Sequence, residues 1–217
     1  MKNSVQFPMP SLKQSILTGG IGFSLVSLLV FTLVAFAQRW MFERLGVTGA
    51  YLVWIALFIL LGGRALSSLA AGHWGLVKFY GLFGAAFFAY GASWMASYFT
   101  LRGMAGQWLG ALSGSVAMAV VFAAGFGALR SAPILCLLLF VTNSIGYFLG
   151  SFFYYSWGRP AGLMLWGAFY GGCLGGGIGA VIYLARSRSE RLPTPVSSTA
   201  ESSPQPVSDA VRRNPDL

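Results

Sequence analysis

Residues 160–185 read Pro-Ala-Gly-Leu-Met-Leu-Trp-Gly-Ala-Phe-Tyr-Gly-Gly-Cys-Leu-Gly-Gly-Gly-Ile-Gly-Ala-Val-Ile-Tyr-Leu-Ala, 26 positions without an Asp, Glu, Lys or Arg. About 20 such residues in a helix span the hydrocarbon of a bilayer. A proline at the start does no harm, because its missing N–H would have no helical partner there. Five more runs of the same kind precede it: 14–38, 45–63, 79–101, 103–129 and 131–158. The remaining run, 65–77, holds thirteen residues including Ser67, Ser68, Gly72 and His73, and reads as a connection. Charges mark the seams because one at the bilayer centre costs a few kcal/mol or more.

The pattern predicts an all-α fold: a polytopic membrane bundle of six transmembrane helices with a disordered C-terminal tail. Its parts are a cytoplasmic N-terminal segment at 1–15, the six-helix domain at 16–185 and the tail at 186–217. Composition agrees, since 56% of the 217 residues are hydrophobic and 9% are charged, against about 25% charged in a soluble domain. The tail is rich in Ser, Pro and Thr, with five Arg, four acids and no aromatic residue, too little apolar surface to offset the entropy of ordering it. Arg186, Arg188 and Arg191 are expected against anionic headgroups.

The net charge is +9, but the basic residues stand singly between apolar runs and form no nucleic-acid-binding stripe. Topology explains them better. With the N-terminus inside, Lys2, Lys13, Arg64, Lys78, Arg130, Arg186, Arg188, Arg191, Arg212 and Arg213 face the cytoplasm, and Arg39, Arg44, Arg102 and Arg159 face the other side. That asymmetry puts both termini in the cytoplasm of a cell membrane. Trp40, Trp74, Trp108 and Trp157 fall in or beside the connections, where an indole prefers to lie. Ala35-Phe36-Ala37 resembles a signal-peptidase site, yet Ile16–Ala37 is longer than the apolar core of a cleaved signal, so the first helix is expected to stay.

Reactive groups are scarce. Before the tail there is one carboxylate, Glu43, and one histidine, His73. Neither a carboxylate pair for acid–base work nor a three-ligand metal site can be assembled, and no run carries an acid for proton coupling. No enzymatic activity, metal or cofactor is expected. Cys136 and Cys173 come out roughly 10 Å apart in depth at ~1.5 Å per residue, too far for a disulfide. Glu43 lies one turn from Arg39, an ordinary surface pair.

Gly167, Gly171, Gly175 and Gly179 recur every fourth residue in the last helix, the pattern of a glycine zipper that lets another backbone approach closely. Gly110 with Gly114 and Gly146 with Gly150 suggest the fourth and fifth helices as its neighbours. Asn143 lies near the centre of run 131–158, with Ser93, Ser113 and Ser115 at similar depth. A polar layer at mid-membrane is where small transporters hold their solutes.

No stretch carries a motif specific enough to name a family. The expected function is that of a small permease, channel or membrane solute-binding component without carboxylate proton coupling, its solute held by Asn143, Ser113, Ser115 and Ser93. The alternative is a non-catalytic assembly subunit of a larger membrane complex. Partners follow from this: the lipid bilayer, and a second copy or a complex subunit.

Overall fold

The computed structural model describes residues 10–70 and 75–189. It is all-helical, with five helices long and apolar enough to cross a membrane. The tail from 190 onward, His73 and Trp74 lie outside the described residues.

Helix α1 (Leu12–Leu66) opens on a capping box: Ser11 Oγ accepts from the Gln14 N–H at 3.2 Å, and Gln14 Oε1 accepts from the Ser11 N–H at 3.0 Å. Two orphan donors of the first turn are thereby satisfied. The helix does not run straight. At Gly46 the backbone turns to φ 68°, ψ 173°, a conformation that any Cβ penalises. Residues 22 and 65 of a straight helix would stand roughly 65 Å apart at ~1.5 Å per residue. Instead a Cβ on Gly22 would lie 3.1 Å from that of Ala65, and the Phe23 and Phe58 rings are 5.8 Å apart. The two arms of α1 therefore fold back on one another, with Val30, Met41, Ala50 and Trp54 packed between them.

A 3-10 turn (Ser67–Ala70) ends the second arm. Helix α2 (Leu76–Leu101) returns, and one residue, Arg102 at φ 53°, reverses the chain into α3 (Gly103–Gly125). Gly127 at φ 67° closes α3: its N–H donates to the Ala124 carbonyl at 3.1 Å and that of Ala128 to Ala123 at 2.7 Å. This pair of bonds is a Schellman cap, which needs a left-handed residue at Gly127. A second 3-10 turn (Leu129–Ser131) leads into α4 (Ala132–Trp157), with Pro133 in its first turn, and Gly158 turns the chain into α5 (Ala161–Ser189).

Tight fourfold registers join the helices. On α3, Gly106, Gly110 and Gly114 face Tyr98, Trp94 and Tyr90 of α2 in turn. Between α4 and α5 the facing pairs are Gly146 with Tyr170, Gly150 with Trp166, and Tyr154 with Gly162. Gly167, Gly171, Gly175 and Gly179 of α5 lie against the first arm of α1, at Phe31, Ser27, Gly19 and Ser15. The expectation that Gly110 and Gly114 would adjoin the last helix is thus corrected. Their open face is filled by the large rings of α2, and the α5 glycines admit the first arm. Phe23, Phe83, Phe122, Leu139, Leu174 and Ile178 fill the centre, each at most 1% exposed, while Leu25, Phe88, Leu137 and Tyr155 point outward.

A second correction concerns the end of α5. The helix continues past Ala185 to Ser189. Arg186 is buried and donates to the Leu69 carbonyl, and Arg188 donates to Ser131 Oγ at 3.1 Å. Arg186 thus bonds a backbone carbonyl at the end of the first 3-10 turn, and Arg188 a side-chain hydroxyl at the end of the second.

Candidate functional site: an aromatic cavity above a buried hydroxyl chain

The ladders just described supply the lining of an aromatic cavity. Because Tyr90, Trp94 and Tyr98 recur every fourth residue, they share one face of α2. Trp166 and Tyr170 do the same on α5. Tyr90 and Trp94 of the first face and Trp166 and Tyr170 of the second line a partly open cavity of about 330 Å³, lined on its other sides by Phe31 and Val34 of the first arm, Tyr51, Trp54 and Phe58 of the second, and Tyr147 of α4. Tyr147 stands between the two tryptophans, its ring 6.0 Å from that of Trp94 and 5.6 Å from that of Trp166. The Tyr51 and Trp54 rings meet edge to face at 5.0 Å. No charged residue lines this space.

At its floor the polar groups form a chain. Tyr90 Oη donates to Asn143 Oδ1 at 2.8 Å and lies 2.8 Å from Tyr170 Oη. A hydroxyl has one proton to give, so Tyr170 is the donor to Tyr90. The order is Tyr170, Tyr90, Asn143. Asn143 is fully buried, and its Nδ2 has no hydrogen-bond partner among the described residues. Trp54 Nε1, in the cavity wall, also lacks one.

The four residues singled out in sequence are distributed differently. Asn143 lies beneath the cavity and reaches it only through Tyr90. Ser113 Oγ meets Ser97 Oγ at 2.8 Å and the Ser93 carbonyl at 3.2 Å, so Ser113 and Ser93 come together at the α2–α3 seam. Ser115, two residues along α3 and about 200° around it, is buried with its Oγ unpartnered. None of these serines lines the cavity.

The glycine run Gly175-Gly176-Gly177 stays helical, with the Thr142 side chain of α4 closed against Gly177. Cys136 and Cys173 are both free thiols and half-buried. The exposed pair between Arg39 and Glu43 forms at 3.0 Å. Among the described residues no cluster of His, Cys, Asp and Glu could hold a metal ion.

Sequence reasoning missed Tyr90, Tyr170, Trp94 and Trp166. The available signal was the match between Tyr90, Trp94 and Tyr98 and the glycine triplet Gly114, Gly110 and Gly106, two fourfold series of opposite size meeting across a one-residue turn. No family model, no curated protein and no solved structure matches the chain.

Proposed function

We propose that the chain is a six-span membrane protein that binds a small, uncharged, ring-bearing solute in the aromatic cavity, as a permease or a solute-binding component. The sixth span comes from α1, whose two arms would each cross the bilayer and join at Gly46. The single observation that carries the solute reading is the uncharged wall of aromatic rings around about 330 Å³. This volume lies at the lower end of ligand cavities and equals about eleven waters at ~30 Å³ each. Stacked and edge-on rings favour a planar apolar guest, and the absence of a basic lining residue disfavours an anion. The cavity lies toward the Gly46, Arg102 and Gly158 turns. Lys13, Arg64, Lys78, Arg130, Arg186 and Arg188 lie at the opposite end, which supports a cytoplasmic placement for that end.

Gly91 offers the test. It lines the cavity, and a Cβ built there meets nothing within 4 Å, so Gly91→Phe introduces a bulky side chain at the cavity wall from an unobstructed Cβ. Thermal unfolding of the full chain in nanodiscs is followed with 1-naphthol, tetramethylammonium and benzoate. Binding at a hundredfold over Kd stabilises by about 2.7 kcal/mol. The expected result is a rise in unfolding temperature with 1-naphthol alone, lost in Gly91→Phe. An equal rise in the variant, or none with 1-naphthol in either protein, defeats the proposal. Recovery of the chain at fixed ratio with another membrane subunit would favour the assembly reading.

A further inference from the structure

We propose that a cleft at the Ser11 end, between the α3–α4 turn and the last turn of α5, binds a phosphate-bearing anion. The inference is independent of the aromatic cavity. The cleft measures about 510 Å³ and is lined by Gly127, Ala128, Leu129, Arg130, Ser131 and Arg188. Two guanidinium groups therefore face one space, and their planar forks match the paired oxygens of a phosphate. Arg188 is held over the start of α4 by its bond to Ser131 Oγ. Ser131 itself is buried. Helix α4 starts immediately after Ser131 and makes no side-chain cap bond there.

Charge balance points the same way. Glu43 is the one carboxylate among the described residues, and it is paired with Arg39 at the other end of the bundle. No described carboxylate pairs with Arg130 or Arg188. Arg130 makes no hydrogen bond to the described protein and is exposed, so its donors are available to a ligand. Arg64 and Lys78, at the same end, do not line the cleft. The volume exceeds what a bare ion needs and accommodates a phosphodiester with its substituents. A lipid headgroup and a free phosphate share this chemistry.

The test uses the full chain in nanodiscs of phosphatidylcholine with or without a quarter phosphatidylglycerol, and inorganic phosphate added to the phosphatidylcholine discs. Lipid retained on the protein is counted by native mass spectrometry, and phosphate binding by the shift in unfolding temperature. Retention of phosphatidylglycerol, weakened about fivefold in Arg130→Gln, supports the cleft with a lipid as its source. Stabilisation by inorganic phosphate without lipid preference, lost in Arg130→Gln, supports it with free phosphate. Arg130→Gln breaks no bond within the described protein, so its result does not depend on refolding the turn. Arg188→Lys, which keeps the charge and loses the fork, should weaken binding less than Arg188→Gln. Equal losses in Arg64→Gln and Lys78→Gln would reduce the effect to general surface charge and overturn the proposal. So would binding that appears only after truncation at Ser189, which would assign the cleft to the acidic residues of the chain's own C-terminus.

Discussion

The hydroxyls of Tyr90 and Tyr170 meet at 2.8 Å, and each tyrosine sits one helical turn from a tryptophan, Trp94 and Trp166, on its own helix. The two helices run in opposite directions, so the order of Tyr and Trp is reversed in the sequence and matched in space. A glycine of the adjacent helix backs three of the four rings, Gly114 and Gly110 for Tyr90 and Trp94 and Gly150 for Trp166, while Gly146 lies against the Tyr170 backbone. Removing those side chains lets the rings sit close to the neighbouring backbone while their free faces turn to the cavity. Packing and site are thus one construction.

The hydroxyl chain has a direction, and that makes its two tyrosines unequal. Tyr90→Phe leaves Asn143 Oδ1 buried without a donor and should cost about 1–3 kcal/mol. Tyr170→Phe removes a donor to Tyr90 but leaves the Tyr90–Asn143 bond, and should cost about 0.5–1.5 kcal/mol. Reversible unfolding in mixed detergent micelles reads both. If Tyr170→Phe proves the more damaging, the assigned direction is wrong.

Solute handling should track the same chain. Asn143→Ala removes the acceptor that fixes the Tyr90 hydroxyl, so it is expected to weaken solute binding or flux through a misplaced Tyr90 with the helices still formed. Circular dichroism checks the fold, and 1-naphthol affinity reads the effect. Unchanged affinity with an intact fold would remove Asn143 from the site.

Along α5, glycines only three residues apart should respond very unequally. A Cβ at Gly175 overlaps the Gly19 carbonyl oxygen and Phe23 Cβ, whereas one at Gly172 finds its nearest atoms, in Ser24, at 3.9 Å. Gly175→Ala should therefore cost about 1–3 kcal/mol as overpacking, and Gly172→Ala should stay within about 0.5 kcal/mol. Unfolding midpoints of the two variants decide. Equal values would show that the first arm of α1 does not pack as closely on α5 as described.

These contrasts mark what the sequence could and could not tell. Charge-free runs matched α2 to α5, whereas 14–38 and 45–63 both fell within α1 on either side of Gly46, and 65–77 took in the end of α1, the first 3-10 turn and the start of α2. The partner of each glycine face was not legible. Gly110-x-x-x-Gly114 specifies only that something large or close fits there, and whether it is Trp94 of α2 or a backbone of α5 depends on how all the helices arrange. The cavity stayed hidden for a related reason: with 16% aromatic residues, no single Tyr or Trp stood out until two helices brought Tyr90 and Tyr170 together. Polar residues drew attention to Ser113 and Ser115, yet Ser113 spends its hydroxyl on the α2–α3 seam.

The α2–α3 turn stores strain that a glycine would release. Arg102 adopts φ 53° and ψ 176°, a region that only glycine occupies freely, at a cost of about 1–3 kcal/mol for other residues. Its side chain is exposed, so Arg102→Gly should raise stability by about 1 kcal/mol. Gly46→Ala, at φ 68° and ψ 173° with open space around it, should lower stability by a similar amount for the converse reason. The two unfolding shifts must have opposite signs. Destabilisation by Arg102→Gly would mean that the guanidinium contributes more than its backbone costs.

The fold-back at Gly46 makes the sharpest claim about topology. If each arm of α1 crosses the bilayer, Leu12 and Leu129 lie on one side, and Met104 and Trp157 on the other. All four are exposed, between 40% and 64%, and none bears a charge that sets orientation. Single cysteines at these positions, in a Cys136→Ala/Cys173→Ala background, are treated on intact cells with a thiol reagent that cannot cross the membrane. Labelling is expected at Met104→Cys and Trp157→Cys, and only after permeabilisation at Leu12→Cys and Leu129→Cys. Labelling at Leu12→Cys but not Leu129→Cys would make α1 a single crossing and remove the sixth span. Labelling at Leu12→Cys and Leu129→Cys alone would keep six spans and invert them, placing the aromatic cavity toward the cytoplasm.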